Sequence, residues 1–300
     1  ELMALIKEAE SRGLSEEQIE TLALARGYSQ SDIQIIKDRI NQIKSGVSSQ
    51  KIGNNNESSR KQLGELSERV VTTIETEGET QKEKICQSRW QITEALAEKI
   101  QQCTTPPKVL ISGSAIGFYG RQGSTVVTEE YSSFYPEFSH DICARWENLA
   151  QRAAGANTRV CLLRTGIVLS SKDGALSKML PLFKYGLGGP IGDGQQFMSW
   201  IHLEDMVRLI DFLLQREDLS GPFNATAPRP VSNKQFSQVL AERFGKKAPF
   251  TVPAFVLRLA FGEMADILLF GQNVQPKRLL DSGFQFHHPQ LKDALNALQF

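Results

Sequence analysis

At 300 residues, with 40 % hydrophobic and 23 % charged side chains, the chain can bury a sizeable core and reads as one large or two ordinary domains. Its 34 Lys and Arg balance 34 Asp and Glu, and a formal net charge of zero speaks against a nucleic-acid or membrane-surface partner. Cys86, Cys103, Cys143 and Cys161 form no Cys-x-x-Cys pair, so no metal site is expected, and a reduced, cytoplasmic setting is the natural reading.

Residues 1–46 carry a short repeat: Gly13-Leu14-Ser15-Glu16-Glu17-Gln18-Ile19 returns as Gly27-Tyr28-Ser29-Gln30-Ser31-Asp32-Ile33. In each copy a Gly ends one helix and a Ser caps the next, while Leu14 with Ile19 and Tyr28 with Ile33 form hydrophobic staples. Three short helices are predicted. They bear mixed charge and no basic stripe, which favours a packing module over a DNA-binding helix-turn-helix. This stretch, to about residue 75, resembles the segment preceding the export domain of bacterial polysaccharide-export proteins, a resemblance that implies no catalytic residue. Residues 47–76, including Asn54-Asn55-Asn56, are too polar to offset ordering entropy and read as a linker.

From there the pattern changes. Lys108-Val109-Leu110-Ile111-Ser112-Gly113-Ser114 is a short apolar strand breaking into small residues, and Arg159 to Gly166 is another, with a helical pattern between them. Such alternation predicts βαβ units and a buried parallel sheet. A nucleotide-binding sheet opens with a strand, a Gly-x-Gly-x-x-Gly-like turn and a helix whose N-terminus holds a pyrophosphate. No such run precedes Lys108. Gly186 to Gly194 is glycine-rich, but it neither follows an apolar strand nor opens a helix, so it reads as a turn-dense loop over a substrate pocket. Trp200-Ile201-His202-Leu203-Glu204-Asp205 starts a helix running through Leu214, with His202 and Asp205 as cap and first-turn residues. Asn224 ends a further strand. Val252 to Phe270 reads as a buried helix pair; Arg258, Glu263 and Asp266 interrupt it, so no membrane span is expected.

Several motifs in this second part carry a family resemblance: Lys84-Ile85-Cys86-Gln87-Ser88-Arg89-Trp90, Ser112-Gly113-Ser114-Ala115-Ile116-Gly117-Phe118-Tyr119-Gly120, His140-Asp141-Ile142-Cys143-Ala144-Arg145-Trp146-Glu147, Leu163-Arg164-Thr165-Gly166, Trp200-Ile201-His202 and Pro276-Lys277-Arg278-Leu279. From about residue 80 onward the chain resembles an atypical branch of the extended short-chain dehydrogenase/reductases, the epimerase-family or sugar-nucleotide-epimerase-like proteins. The resemblance implies an NAD(P) cofactor, a nucleotide sugar or other small anionic substrate, and a first half with a glycine-rich turn that this sequence does not contain. The expected fold is therefore α/β: an incomplete Rossmann-like parallel sheet over residues 77–230 and a mainly helical C-terminal substrate-type domain over 231–300, preceded by the all-α module and linker. The chain reads as a chimera, with Val109–Ile111 and Val160–Leu163 beside empty strand edges open to self-association.

The same resemblance places Ser114 at the strand end facing the nicotinamide ring; the alternative is a capping serine. The usual Tyr and Lys of the superfamily are replaced by Ser139 and Cys143, which cannot ionise as a base or act as a cation. His140 is the candidate proton carrier, and with Cys143 one turn later it could form a nucleophile–base pair, although buried cysteines are usually inert. Ser112, Tyr119, Arg164 and Thr165 are the cofactor-binding candidates; Gln195, Gln196, Trp200, His202, Lys277 and Arg278 are the substrate-binding ones.

Overall fold

The computed structural model describes residues 81–255 and 269–300. The predicted three-helix module, the linker and most of the expected helix pair at 252–270 lie outside the described residues. The chain parts into two compact units, Glu1–Glu77 and Gly78–Phe300, and every described residue belongs to the second.

Three strands run parallel in the order β1 (Val109–Ala115), β3 (Arg159–Thr165) and β7 (Gly221–Ala225). The apolar alternation of each strand serves both faces. Val160, Leu162 and Leu110 point to one side, where Ala97 and Ile100 of α1 (Gln81–Gln102) and Ala150 of α2 (Phe138–Gln151) cover them. Cys161, Leu163, Phe223 and Ala225 point to the other, onto Leu209 and Leu213 of α4 (Leu203–Gln215). The result is a three-layer α/β/α sandwich with the helices linking strands, as buried parallel strands require.

Short pairings extend this centre. Residues 126–127 (β2) run parallel to 273–274 (β9), Ile167–Leu169 (β4) runs parallel to Trp200–His202 (β6), and 197–198 (β5) runs antiparallel to 231–232 (β8). A second core gathers Leu176, Leu180 and Phe183 of α3 (Gly174–Lys184), Phe236 and Leu240 of α5 (Asn233–Arg243) and Leu291 and Leu295 of α7 (Leu291–Ala297). The short helix α6 (Lys277–Asp281) follows β9. Among the described residues no helix is long and apolar enough to cross a membrane.

Two expectations need correcting. Val160–Leu163 does not border an empty edge: β3 is the central strand, hydrogen-bonded to β1 on one side and β7 on the other. The outer edges of β1 and β7 are the two that lack a paired strand in this sheet among the described residues. Trp200 and Ile201 do not begin a helix either. They pair in strand β6, and the helix starts one residue after His202, whose imidazole accepts the N–H of Glu204 and so caps it.

Candidate functional site

Strand register builds the site. Ser114 of β1 lies opposite Arg164 of β3, and Arg164 lies opposite Asn224 of β7. The three side chains therefore share one row, one face and the carboxyl ends of their strands, where sheets of this kind bind ligands. They stand on the face covered by α2, whose inward stripe is Ile142, Cys143, Glu147 and Ala150. A carboxylate on an otherwise apolar stripe needs a partner, and Glu147 finds one. Arg164 donates to it through Nε and Nη2, at 2.8 Å each, with both side chains under a tenth exposed. Ser114 donates to the same carboxylate at 2.7 Å.

The network continues across the sheet. Arg164 Nη1 donates to the Tyr119 hydroxyl at 3.0 Å, and that hydroxyl donates to Asn224 Oδ1 at 2.8 Å. Asn224 in turn gives its Nδ2 proton to the Gln275 carbonyl and its backbone N–H to Glu129. The Arg164 guanidinium stacks 3.5 Å over the Phe118 ring, which lowers the cost of holding a cation there. Burial raises the Tyr119 phenol above its ordinary value, against the opposing pull of Arg164, so it stays protonated and serves as a hydrogen-bond node. Burial also raises the Glu129 carboxyl.

His140 lies on α2 one turn before Cys143. Its Nδ1 meets the Phe118 carbonyl, and its ring stacks on Phe134 with centroids 5.2 Å apart. Because a carbonyl only accepts, Nδ1 carries the proton, which leaves Nε2 as the basic atom of the neutral ring. The His140–Cys143 nucleophile pair is not supported: burial pushes the Cys143 thiol up to about 11, so it holds its proton at neutral pH.

The other candidates lie in different surroundings. Ser112 and Thr165 bond backbone carbonyls of their own strands, from Ser112 to Gly113 and from Thr165 to Leu163, while Tyr119 and Arg164 are spent inside the network just described. Trp200 is fully buried in the second core, far from offering a substrate contact, because its ring fills the space between β4 and helices α3 and α5. Arg278 donates to the Pro222 and Ser220 carbonyls and stacks on Phe223, which ties α6 to the start of β7, while Lys277 pairs with Glu130 and with Asp281 of its own helix.

The glycine-rich loop is a packing device. A Cβ on Gly189 would sit 1.6 Å from the Phe250 carbonyl, and Gly194 adopts φ +72° while its carbonyl accepts the Lys234 N–H. Asn233 ties the loop down by accepting the Ile191 N–H, and Gln196 donates back to the Ile191 carbonyl. Of the substrate-binding candidates, Gln195 alone is exposed.

Glu147 and Asn224 are the site residues that sequence reasoning did not single out. The signal for Glu147 was present: it occupies a core position of the helical period. Asn224 becomes meaningful only once register places it beside Arg164.

Comparison with known proteins follows the same lines. A family model described as the NAD dependent epimerase/dehydratase family matches residues 70–225, and a domain of unknown function (DUF1731) matches 252–298. The Epimerase family protein ML0860 of Mycobacterium leprae is 41% identical over 216 residues, covering 72% of this chain and 69% of its own length. Among solved structures, the human epimerase family protein SDR39U1 (isoform 2) with NADPH is similar with a TM-score of 0.70 and 33% identity, over 73% of this chain and 74% of that one. The nucleoside-diphosphate sugar epimerase of Corynebacterium glutamicum gives 0.59 and 28%, over 82% of this chain and 44% of that one.

Proposed function

This chain belongs to the NAD dependent epimerase/dehydratase family, and on that premise we propose that Ser114, held by the row it forms with Arg164 and Asn224, is the reacting end of an NAD(P)-dependent epimerase or oxidoreductase site. Its substrate is a nucleotide sugar or another small anionic molecule. One observation carries the reading: a hydroxyl, Ser114, is fixed at the carboxyl end of a parallel strand by a buried ion pair, under the helix α2 that also carries His140.

The residues divide the work. With its own proton on Glu147, Ser114 Oγ presents lone pairs and accepts a hydrogen bond from a substrate hydroxyl. His140 Nε2 takes up the proton that such a hydroxyl releases on oxidation. Arg164, Tyr119 and Asn224 touch no reactant. They hold Ser114 and the strand ends in place and exclude water. A nicotinamide, when bound, supplies the hydride chemistry.

The described residues fit the reactive end of such a cofactor better than its phosphates. β1 runs into a 3-10 turn, Ile116–Tyr119, instead of a glycine-rich turn opening an α-helix, and no Gly-x-Gly-x-x-Gly precedes it in the sequence. Our reading is therefore that the chain acts on its substrate class with weak cofactor affinity. The test is NADPH oxidation by the full chain at millimolar cofactor against a panel of oxidised nucleotide sugars, alongside Ser114→Ala and His140→Asn. Turnover that falls at least roughly a hundredfold in Ser114→Ala supports the assignment. Turnover indifferent to Ser114, or none with any member of the panel, overturns it.

A further inference from the structure

Three of the four histidines in the sequence converge at the start of α4. His202 and His288 face each other with ring centroids 4.0 Å apart. Glu204 meets both histidines of the neighbouring pair: His288 Nε2 lies 3.1 Å from one carboxylate oxygen and His287 Nδ1 lies 2.8 Å from the other. One ligand atom each from His202, Glu204 and His288 falls within 4.8 Å of the others. The geometry points to a binding site here for a divalent transition ion of the zinc class, ligated by His202, His288 and Glu204 with further positions left to water.

The first support is an unmet nitrogen. His202 is 7 % exposed, and its Nε2 is buried with no hydrogen-bond partner. An orphan ring nitrogen in a protein interior needs an explanation, and this one belongs to a ring packed on a second imidazole that itself meets a carboxylate. Two imidazoles and one carboxylate are a known zinc set, suited also to nickel, cobalt and copper, and too nitrogen-rich for magnesium or calcium.

The second support is the surrounding frame. Asp205 is fully buried, and its two oxygens accept the backbone N–H groups of His287 and His288 at 2.8 Å each, with Arg208 on the first oxygen. A buried carboxylate thus fixes the backbone that carries one ligand. His287 holds the ligating carboxylate of Glu204 in the same way. Such outer contacts orient the ligands of metal sites. An entry path exists because the Glu204 side chain is half exposed while His202 forms the floor.

Binding has a defined cost. His202 Nδ1 now accepts the Glu204 N–H at 3.2 Å, so the ring proton sits on Nε2. Ligation through Nε2 moves that proton to Nδ1, which can then no longer accept the Glu204 N–H, and the lost cap is a cost that a metal–imidazole bond outweighs. An occupied site would clip the start of α4 to a segment 84 residues further along the chain. The absence of paired cysteines is no argument against it, since this ligand set contains none.

The experiment is a titration of the chelator-stripped full chain with ZnCl2 by calorimetry, repeated with CoCl2 by absorption spectroscopy. The expected result is one ion per chain at micromolar affinity or tighter. It should weaken at least tenfold in Glu204→Gln, a half-exposed position, and in His202→Asn, which keeps a capping side chain. Cobalt should give d–d bands without thiolate charge transfer. No saturable binding, binding unchanged in both variants, or a thiolate band pointing to a cysteine would each overturn the assignment.

Discussion

Two polar clusters of this protein use the same materials, a carboxylate, nitrogen bases and a sheet end, and reach opposite conditions. At the ends of β1, β3 and β7 the network is closed: Glu147 takes three donors from Arg164 and Ser114, and Tyr119 both accepts and donates. At the start of α4 the network is open, because His202 Nε2 has no partner although the groups around it are well placed. A closed buried network fixes geometry, and an open one leaves bonding capacity for something not yet bound. The first cluster therefore reads as a frame that presents a single hydroxyl. The second reads as a receptor.

Removing one member of each cluster separates these roles. The largest effect belongs to Glu147→Ala, which strands the Arg164 cation among apolar neighbours and should cost about 3–5 kcal/mol in denaturant unfolding. Adding Arg164→Met to that variant should restore much of the loss, since the pair together can be replaced by packing. Next comes Asp205→Ala, which leaves two backbone N–H groups without an acceptor and should cost about 1.5–3 kcal/mol. That variant should also weaken zinc binding by roughly tenfold or more, as loss of an outer contact does. Tyr119→Phe removes the bridge between Arg164 and Asn224 and should cost roughly 1–3 kcal/mol, with little effect on zinc. Equal zinc effects from Tyr119→Phe and Asp205→Ala would dissolve the distinction between the clusters.

The smallest effect is chemical. Burial holds the Cys143 thiol up to about 11, whereas Cys103 is exposed. In the native protein at pH 8, a maleimide should label Cys103 quickly and leave Cys143 untouched, with Cys143 labelling appearing only on unfolding or in strong alkali. Fast native labelling of Cys143 would revive the nucleophile reading.

The sheet was legible because buried parallel strands are short apolar runs, and Val109–Ile111 and Arg159–Leu163 are such runs. The failed glycine fingerprint was legible too, for want of a strand before Gly186 and a helix after Gly194. Trp200 was misread because helix and strand periods cannot be told apart over three residues, and only pairing with Ile167–Leu169 decides. Arg278 looked like an anion ligand, yet a guanidinium within reach of unpaired carbonyls at a strand start goes to them first. The histidine cluster had no sequence signature at all, since Glu204 and His288 are 84 positions apart. Sequence spacing reports chemistry within one element. It is silent on chemistry assembled between two.

The proposal that matters most is that this chain carries the reacting end of a nicotinamide-dependent site while β1, among the described residues, runs into a 3-10 turn in place of a glycine-rich cradle for the cofactor's phosphates. Calorimetric titration of the full chain with NADPH tests it most directly. No saturation is expected in the micromolar range, with only weak heat at millimolar concentration. A one-to-one isotherm at micromolar affinity would contradict it.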